Sequence, residues 1–547
     1  MSAAHTEYIL IGSGVAAVTL AERLLAANPA TGITILEAGR QYPAQDRRAW
    51  WDFVMTGKAV YNPAVDTPNE YNVRSNVKWD CHDNRLIAYG GSTLHWGGWS
   101  LRFKPEDFHL RSNTGMGADW PFQYDELHDY YYEAEKRLAV CGNDNESWNH
   151  VRHALRDERT TDIIRPAQPY PMPPFSWTAA DGEMIDAFRT LGIEPGRMPI
   201  ARFRKCMTTG TCKYCPLGAR YTAQDALDEL LRQKDLWGQS RYPNLKVHQR
   251  AAVTRLLMNG KRQATGVEYV QYKEEKQATH TLLAPRVIIC AGAYESPKLL
   301  LQSANNHWPK GLGNDHDNVG RYLTSHSILR VQGDRGNNAE CWLQEYDFPT
   351  LMSRTYDTPE FQRFGKLFIF KNRKFPNLDL ASEMSKGQSR EEIEHTLRTR
   401  RTLELQAFIE EKGKFDNYVT FGTEKTRWGL PKTEVVFNRT PEEIANCESR
   451  VELLQRVIRA MGYRVTIAQV DRPGGHHATG TCRMAHEPKE GVTDLDLRVH
   501  GTDNLYVCSN AVFPTGAAVN PTLTLVALAM RLGDHLLGHA VPNGEKL

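Results

Sequence analysis

The chain has 547 residues, which is too long for one simple hydrophobic core and predicts two or more domains. Its 67 lysines and arginines nearly balance 65 aspartates and glutamates, and no basic tract alternates with aromatic residues, so nucleic-acid binding is not expected. Every apolar run stops short of the roughly 18 residues that a membrane-spanning helix needs, so no membrane span is expected.

The first predicted element is a short apolar strand, Tyr8–Ile11, followed by a glycine-rich loop. Gly12 allows a tight turn there, and Gly14 lets the backbone approach a pyrophosphate. Ala17 keeps the following helix close to the sheet, and the first N–H groups of that helix point at phosphates. This arrangement is typical of a site that binds a dinucleotide.

A second predicted strand, Ile33–Leu36, ends at Glu37, about twenty residues beyond the loop. A carboxylate at that place accepts hydrogen bonds from the ribose hydroxyls of the adenosine half of a dinucleotide. The strand, loop, helix and acid together predict a bound dinucleotide. The alternative is an ordinary tight turn between a strand and a helix in an unrelated α/β domain.

A second glycine-rich segment covers residues 87–98 and contains Gly90, Gly91 and Ser92. Turns alone would not require two such segments within roughly the first hundred residues. Bulky side chains at these positions would collide with a bound cofactor, so we expect this segment to lie along the same dinucleotide.

Three of the ten cysteines form a cluster, in which Cys206, Cys212 and Cys215 have the spacing Cys-x5-Cys-x2-Cys and precede Pro216. Three thiolates with a following proline can hold an iron–sulfur cluster. A zinc site would need a fourth ligand, and none stands at a standard spacing nearby. Unligated thiols are the third alternative.

Further short strands are predicted in the middle of the chain, at residues 244–247, 251–256, 264–270 and 286–292. The helix after the last of them is expected to have Ser296 as its N-cap and Pro297 at its first position. A closing helix is expected at residues 521–537.

From about residue 331 to 470 the glycine-rich loops disappear, and alternating segments predict an antiparallel sheet at 418–421 and 433–437, flanked by helices at 389–399 and 441–461. The predicted fold class is α/β, with a discontinuous Rossmann-type dinucleotide-binding domain and an inserted α+β substrate domain built on an antiparallel sheet. The dinucleotide-binding domain is expected to cover residues 1–100, 200–330 and 471–547, and the substrate-binding cap residues 101–199 and 331–470.

Motifs spread over nearly the whole chain resemble those of the glucose–methanol–choline flavoenzymes. They are the Gly12, Gly14 and Ala17 loop with residues 35–39, the Gly90-Gly91-Ser92 loop, and the segments 291–300, 477–484 and 520–524. The resemblance implies that the dinucleotide is FAD and that the Gly90–Ser92 loop contacts its pyrophosphate. It also implies that Val253 meets the adenine and that Thr522 is among the FAD-binding residues.

The same resemblance implies alcohol oxidation by hydride transfer to flavin N5, with His477 as the base that removes the hydroxyl proton. A histidine suits that step because its unperturbed pKa lies near working pH. Asn520 would hold the substrate oxygen and stabilise its developing charge. His476 is the competing base, but the family pattern places a glycine three residues after the catalytic histidine, and Gly480 has that spacing from His477. A structural histidine pair that caps a loop is the alternative without catalysis.

His95 and Trp96 follow the second glycine-rich segment, where pyranose oxidase and fructose dehydrogenase carry a His-Trp pair. In some relatives that histidine is bonded covalently to the flavin 8α carbon, so the resemblance makes His95 a cofactor-binding residue. This chain has one residue more than pyranose oxidase between the threonine and the histidine. A histidine packed without a covalent bond against the dimethylbenzene edge is therefore the alternative.

The nearest likeness is to the sugar-oxidising branch, which includes glucoside 3-dehydrogenases, fructose and gluconate dehydrogenase catalytic subunits and pyranose oxidase. In those dehydrogenases a similar cysteine cluster holds a 3Fe–4S centre, with one more residue between the second and third cysteines. The resemblance implies a dehydrogenase that oxidises a secondary hydroxyl of a carbohydrate, with C3 as one candidate position that would give a 3-keto sugar. A cytochrome or quinone would take the electrons, and a small subunit and cytochrome c are the implied partners. The alternatives are an oxygen-using oxidase, a dehydrogenase of a non-sugar alcohol and a non-catalytic flavin-binding subunit.

Ten cysteines in a chain of 547 residues do not suggest a disulfide scaffold. The first predicted strand begins at residue 8, which leaves no room for a secretory signal. We therefore expect a cytoplasmic setting, or a periplasmic one only if a signal-bearing partner carries the chain.

Overall fold

The strand Tyr8–Ile11 lies in the middle of a five-stranded parallel sheet and is completely buried. It pairs with Arg286–Ile289 on one side and with Ile33–Leu36 on the other, and the outer strands are Leu505–Val507 and Leu245–His248. Because all five strands are parallel, their carboxyl ends lie at one edge of the sheet, where open α/β sheets bind their ligands.

The computed structural model describes residues 6–43, 46–56, 71–79, 81, 85–156, 163–202, 206, 215–273, 276–335, 348–372, 384–399, 402–426 and 429–539. Helices in these ranges are Val15–Ala27, Arg47–Thr56, Leu110–Thr114, Asp125–Leu138, Ala179–Thr190, Ala223–Arg232, Gly292–Gln302, Pro359–Gln362, Arg390–Thr399, Pro441–Ala460 and Thr522–Leu536. Single 3-10 turns lie at Gly91–Leu94, Pro105–His109, Ser147–Arg152 and Asn510–Val512. None of the helices in the described ranges combines the length and the apolar composition that a membrane crossing requires.

A six-stranded sheet forms a second layer, which we call the cap sheet; its strands lie in the order Arg464–Thr479, Thr324–Asp334, Thr402–Glu410, Leu367–Asn372, Leu351–Tyr356 and Gly196–Arg197. All its strand pairs are antiparallel, so alternate residues face opposite sides. Leu405 and Ile409 pack on one side with helices Ala179–Thr190 and Pro441–Ala460. Phe408 points to the other side and belongs to the same core as the parallel sheet. The inner face of the cap sheet therefore covers the carboxyl edge of the parallel sheet.

Smaller sheets complete the described structure. One contains Ala251–Met258, Ala264–Lys273 and Lys276–Leu283, and another contains Tyr418–Lys425, Pro431–Phe437 and Tyr71–Ser75. Two further pairs join Val140–Cys141 to Ile200–Ala201 and Leu155–Arg156 to Ile163–Arg165. The predicted antiparallel pair at 418–421 and 433–437 is confirmed, but it belongs to its own sheet and not to the cap sheet.

The start predicted for one helix is wrong. The helix begins at Gly292, so Ser296 and Pro297 lie inside it and not at its N-terminus. Proline cannot donate to the carbonyl four residues earlier, which belongs to Ala293. The hydroxyl of Thr481 donates to that carbonyl at 2.7 Å, so a residue far along the chain satisfies the acceptor that the proline leaves open.

The predicted fold class is confirmed, with a Rossmann-type parallel sheet and an inserted α+β part built on an antiparallel sheet. The strands of the parallel sheet come from residues 8–11, 33–36, 245–248, 286–289 and 505–507. The cap sheet also contains the strands Gly196–Arg197 and Thr324–Asp334, so the chain passes between the two sheets several times. The exact domain boundaries stay a prediction.

Candidate active site

Two glycine loops lie against each other at the carboxyl edge of the parallel sheet. Gly12 has a φ of +101°, and a Cβ there would stand 2.8 Å from the carbonyl oxygen of Cys290. A Cβ on Gly14 would meet nothing within 4 Å, whereas one on Gly91 would stand 3.2 Å from Gly14. Gly14 therefore faces open space, and the second glycine loop lies beside it.

The helix Val15–Ala27 begins at this open space. Gly14 is its N-cap and supplies no side-chain hydrogen bond to the first turn. The N–H groups of that turn carry the partial positive charge of a helix N-terminus. Bare N–H groups and a missing side chain at the same place fit a pyrophosphate.

Ser13 joins the two glycine loops to the acid of the second strand. Its hydroxyl donates to Oε2 of Glu37 at 2.7 Å and accepts from the N–H of Gly90 at 3.0 Å. The N–H of Ser13 donates to the same Oε2 at 2.9 Å, and the N–H of Gly39 donates to Oε1 at 2.7 Å. Burial raises the pKa of Glu37, and these bonds oppose that shift. Glu37 thus orders the loops, and its contact with a ribose stays a prediction.

The other predicted cofactor residues lie on or beside four different elements. They are Ala17 in the first helix, Gly91 and Ser92 in the turn Gly91–Leu94, His95 directly after that turn, Val253 on the strand Ala251–Met258 and Thr522 at the start of the closing helix. The strand that carries Val253 is tied to the loops, because the N–H of Ala251 donates to the carbonyl of Glu37 at 2.8 Å. No bond of these residues to a cofactor is tested by the structure, so their roles stay predictions.

Three oxygens of the site are buried and have no hydrogen-bond partner within the described ranges: Oδ1 of Asn510, Oδ1 of Asn520 and Oγ1 of Thr479. Buried polar atoms in folded proteins are nearly always paired. Asn510 follows the strand Leu505–Val507 and so lies at the same sheet edge as the glycine loops. These oxygens indicate where a bound group completes the site.

His477 lies near the end of the strand Arg464–Thr479 and is almost completely buried. Its Nδ1 is 2.8 Å from Nδ1 of His326, and its Nε2 is 3.0 Å from the amide nitrogen of Asn520. Asn520 stands two residues before the closing helix Thr522–Leu536, 43 residues further along the chain. The structure therefore brings the two predicted catalytic residues together and adds His326 to them.

The carbonyl of Ala517, which can only accept a hydrogen bond, determines which ring nitrogens of His326 and His477 carry protons. Nε2 of His326 lies 2.8 Å from that carbonyl and must donate to it. Neutral His326 has a single N–H, so its Nδ1 accepts, and the proton between the two histidines belongs to Nδ1 of His477. Nε2 of neutral His477 then carries a lone pair, which accepts from Asn520. The bonds thus present a basic nitrogen to the site.

Burial keeps both imidazoles neutral. It lowers the pKa of His326 to about 4, and it lowers the pKa of His477 well below its ordinary value of 6.5, with further contributions from His476 and His326. Glu410 stands opposite His326 in the neighbouring strand, and burial, assisted by Asp107, raises its pKa to about 8. Glu410 is therefore mostly protonated at neutral pH.

His476, the competing base, lies next to His477 with the ring centroids 4.2 Å apart, but its side chain is only half-buried. Gly480, which set the register of the prediction, has a φ of +91°, and a Cβ there would stand 2.2 Å from the carbonyl oxygen of Tyr322. The backbone therefore requires glycine at this position.

Aromatic side chains line the site beside His477, and we call them the aromatic wall. Phe408 stacks on His326 with a centroid distance of 5.4 Å, and it meets His477 edge-on at 5.1 Å. Phe370 lies 4.8 Å from Phe408 and 4.5 Å from Trp99. Phe408 and Phe370 from two neighbouring strands and Trp99 from a loop thus present a continuous apolar surface to the site.

A polar row follows the aromatic wall along the inner face of the cap sheet. Gln406 stands two residues before Phe408 on the same face and opposite Arg330. The Nε of Arg330 and the amide of Gln406 both donate to Glu404, each at 2.7 Å. The surface beside His477 therefore changes from apolar to hydrogen-bonding within about 7 Å.

The predicted cysteine cluster is only partly described. Cys206 and Cys215 are half-buried and form no disulfide within the described ranges, and the N–H of Ala219 donates to Sγ of Cys215 at 3.3 Å. Cys212 lies outside the described residues. Within the described ranges, no three His, Cys, Asp or Glu side chains are placed to hold a metal ion together. The structure thus gives the iron–sulfur cluster no support, and the cluster stays a prediction.

Sequence reasoning missed Ser13, His326 and Asn510, and it did not predict the residues of the aromatic wall and the polar row. The available signal for His326 was a polar run, residues 324–327, in a strand that is buried over most of its length. The signal for Asn510 was its place after a short apolar strand, where the carboxyl edge of the sheet had to be. Ser13 was hidden inside the glycine motif itself.

The fold and the site define a dinucleotide-dependent oxidoreductase of the α/β type. Two family models, both described as GMC oxidoreductase, match residues 178–328 and 414–529. The chain belongs to the GMC oxidoreductase family and is an FAD-dependent enzyme that oxidises alcohols or sugars. The family prediction made from the motifs is confirmed.

The chain is similar to several known members along nearly its whole length. The fructose dehydrogenase large subunit of Gluconobacter japonicus is 26% identical, with 97% of each chain covered. The 2-methyl-1,2-propanediol dehydrogenase of Mycolicibacterium austroafricanum is also 26% identical, with 98% of this chain and 96% of that protein covered. A solved structure of the formate oxidase from Aspergillus oryzae RIB40 matches with a TM-score of 0.66 at 16% identity, over 98% of this chain and 99% of that one, which supports the fold.

The residues at the sheet edge fit FAD, and Ser13 offers a direct test of the cradle. We expect Ser13→Ala to raise the dissociation constant for FAD by about tenfold, since it removes one bond to Glu37 and leaves the Gly90 N–H without its acceptor. The matched control is Ser449→Ala on the helix Pro441–Ala460, where the exposed hydroxyl donates to the carbonyl of Asn446 in the same helix. Fluorescence titration of the apoprotein with FAD measures both constants, and an unchanged constant for Ser13→Ala would show that the bond does not order the cradle.

Proposed function

We propose that the chain is an FAD-dependent dehydrogenase that oxidises a secondary ring hydroxyl of a sugar or glycoside, with C3 as one candidate position. The observation that carries this proposal is the unprotonated Nε2 of His477, which is held next to the amide of Asn520 and beside the aromatic wall. FAD, when bound, supplies the acceptor for the hydride that leaves the alcohol carbon.

His477 takes the substrate hydroxyl proton at Nε2. Such a base contributes a factor of about 10² to 10⁴ in rate. The amide of Asn520 has two N–H groups and donates one to the substrate oxygen, which stabilises the negative charge that develops there. His326 holds the ring of His477 by its Nδ1 proton, so proton uptake requires no rotation of the ring. Burial of this group excludes water from the reacting oxygen.

The aromatic wall and the polar row support a carbohydrate substrate. A sugar ring has apolar C–H faces and hydroxyl edges, and the site has an apolar surface at Phe408 with the amide of Gln406, bonded to Glu404, about 7 Å further along the strand. The similarity to a fructose dehydrogenase subunit over nearly the whole chain adds support.

The proposed electron acceptor is a cytochrome or quinone. The similarity to a protein named as the large subunit of a dehydrogenase supports both a dehydrogenase and a small partner subunit, and cytochrome c is the proposed acceptor protein. An iron–sulfur cluster at Cys206, Cys212 and Cys215 is not needed for this proposal. Iron analysis with low-temperature electron paramagnetic resonance would test that prediction separately.

Two alternatives share the scaffold: an oxygen-using oxidase and a dehydrogenase of a non-sugar alcohol. The second is supported by the diol dehydrogenase, which is as similar to this chain as the fructose dehydrogenase subunit is. Sequence identity therefore does not separate a sugar from a small diol, and the polar row is the observation that favours the sugar.

A substrate panel tests the proposal. The FAD-loaded protein is assayed with free sugars, glycosides, small diols and simple alcohols, with oxygen alone or with an artificial dye as acceptor. We expect turnover of a sugar or glycoside that is at least about tenfold faster with the dye, and a keto sugar as product. Turnover of diols or simple alcohols alone, or equal rates with oxygen, would contradict the proposal in its substrate or its acceptor.

A further inference from the structure

A tight hairpin follows the helix Ala223–Arg232 and projects from the surface. Lys234 pairs with Ser240 across the hairpin, and the N–H of Arg241 donates to the carbonyl of Gln233 at 3.0 Å. The hairpin is thus closed at its base by backbone pairing.

Asp235 fixes the tip of this hairpin. Its Oδ1 accepts from the N–H groups of Trp237 and Gln239, both at 2.9 Å, and its carbonyl accepts from Gly238 at 3.1 Å. Gly238 adopts the left-handed conformation, with a φ of +77°, that the turn requires. The tip is therefore ordered by its backbone and does not rely on packing of Leu236 or Trp237.

Leu236 and Trp237 stand at this tip almost entirely in water, with exposures of 96% and 82%. Large apolar side chains are usually covered in folded proteins, and tryptophan is highly buried on average. A rigid turn that holds two of them in solvent contributes nothing to folding. Such a feature is typical of a surface that binds something else.

Basic side chains surround the apolar tip. Arg232, Lys234 and Arg241 are exposed around the hairpin, and Lys234 and Arg241 make no ion pair within the described ranges. The acid in the hairpin, Asp235, already accepts two backbone hydrogen bonds. The tip therefore offers two apolar groups inside a positively charged rim.

We propose that this hairpin docks the protein onto an anionic lipid bilayer. Tryptophan favours the boundary between headgroups and acyl chains, where its ring is buried and its N–H stays hydrated. Leu236 would add apolar area at the same depth, and the neighbouring cations are attracted to anionic headgroups. The hairpin is already ordered, so docking does not have to order a loop.

The size of the patch favours a bilayer over a protein partner. A stable protein interface buries about 1,000 Å² or more with a packed apolar centre. Here two apolar side chains are flanked by the polar Gln233, Gln239 and Ser240 and by cations. A wedge of this size suits insertion into a fluid surface.

The hairpin is joined to the cofactor loops by a single helix. The N–H of Ala223, at the start of that helix, donates to the hydroxyl of Thr93 at 2.9 Å, so the helix begins at the second glycine loop. Its 10 residues span about 15 Å before the hairpin begins. Docking would thus hold the FAD-binding edge close to the membrane surface. A quinone or membrane-bound cytochrome is available there, and the use of such an acceptor rests on the proposed function.

Sedimentation with lipid vesicles tests the docking without using enzyme activity. The FAD-loaded protein is mixed with vesicles of phosphatidylcholine alone or with added phosphatidylglycerol, at low and high salt. We expect binding to the anionic vesicles that weakens as salt is raised. The double variant Leu236→Ser with Trp237→Ser should bind at least about tenfold more weakly. A second double variant, Lys234→Gln with Arg241→Gln, should lose most of the preference for anionic lipid.

Leu283→Ser is the matched control, because Leu283 is 63% exposed on a strand far along the chain from the hairpin. It should bind vesicles as the unaltered protein does. FAD content shows that each variant is folded. If the serine double variant lost FAD, the vesicle binding of the glutamine double variant would test the inference instead. The inference would be overturned if the unaltered protein bound no vesicles or if all variants bound them equally. It would also be overturned if the molecular mass of the protein in solution changed without vesicle binding, a result that would indicate a protein partner.

Discussion

Replacing His477 by alanine is expected to leave FAD bound and to slow its reduction by substrate by a factor of about 10² to 10⁴. The reason is the lone pair on Nε2, which the bonds from Ala517 through His326 keep directed at the site. Without it, the substrate hydroxyl loses the base that takes its proton. Rapid mixing of the FAD-loaded variant with substrate in the absence of oxygen measures the effect through the visible flavin absorbance.

The matched control is His476→Ala, which removes an adjacent imidazole of the same chemistry. Its side chain is half-buried, and it is Nε2 of His477 that lies 3.0 Å from the amide nitrogen of Asn520, so we expect a loss of less than about tenfold. Near-normal reduction in His477→Ala, or a larger loss in His476→Ala than in His477→Ala, would move the base to His476 or remove both from the mechanism.

Changes at His326 are expected to act on the reaction through His477 alone, which makes His326 a positioning residue. His326→Leu removes the acceptor for the Nδ1 proton of His477 and leaves the Ala517 carbonyl without its donor. His477 can then adopt the other tautomer, with its proton on Nε2, where it cannot accept from substrate. A histidine held in the wrong tautomer costs a triad hydrolase about 10⁴ in rate; here we expect a loss of about 10² in the limiting rate of flavin reduction.

The pH dependence separates this role from simple packing. The base must be neutral, so activity falls as pH drops through the pKa of His477, which burial places well below 6.5. The groups that face it are His476 and His326, with Glu410 opposite His326 and mostly protonated. Protonated His477 keeps its Nδ1 bond to neutral His326, and losing that acceptor disfavours the imidazolium form more than removing the weak repulsion from an uncharged His326 favours it. The acid limb should therefore move to lower pH in His326→Leu.

His326→Gln is the rescue variant. Its amide oxygen can accept from His477 and its amide N–H can donate to Ala517, so the order of donors and acceptors is kept. We expect a rate within about tenfold of the unaltered protein and an acid limb at the same pH. If His326→Gln were as slow as His326→Leu, or if neither variant moved the acid limb, His326 would be a packing residue only.

The two strands that lead into the cofactor site could be predicted from the sequence, because each ends at a residue that the dinucleotide motif requires. Tyr8–Ile11 stops at Gly12 and Ile33–Leu36 stops at Glu37, and both strands have the predicted limits. The local pattern predicted the wrong start for the helix that contains Pro297, because proline usually stands in the first turn of a helix. The compensating hydroxyl of Thr481 comes from a distant part of the chain, and no local pattern shows it.

The site shows the same division. The motifs identified His477 and Asn520, and the structure places Nε2 of one 3.0 Å from the amide of the other. His326 could not be found in this way, because its role depends on a strand pairing with residues far away in sequence. A histidine within a buried strand is usually a core residue, and only the contact with Nδ1 of His477 distinguishes it.

The most direct test of the whole account is anaerobic mixing of the FAD-loaded protein with a sugar substrate that carries either hydrogen or deuterium on the reacting carbon. The account predicts that the flavin absorbance bleaches in a single turnover, that deuterium slows the bleaching, and that the slowing persists in His326→Gln. A protein that cannot take up FAD, or a bound flavin that no sugar or alcohol bleaches, would contradict it.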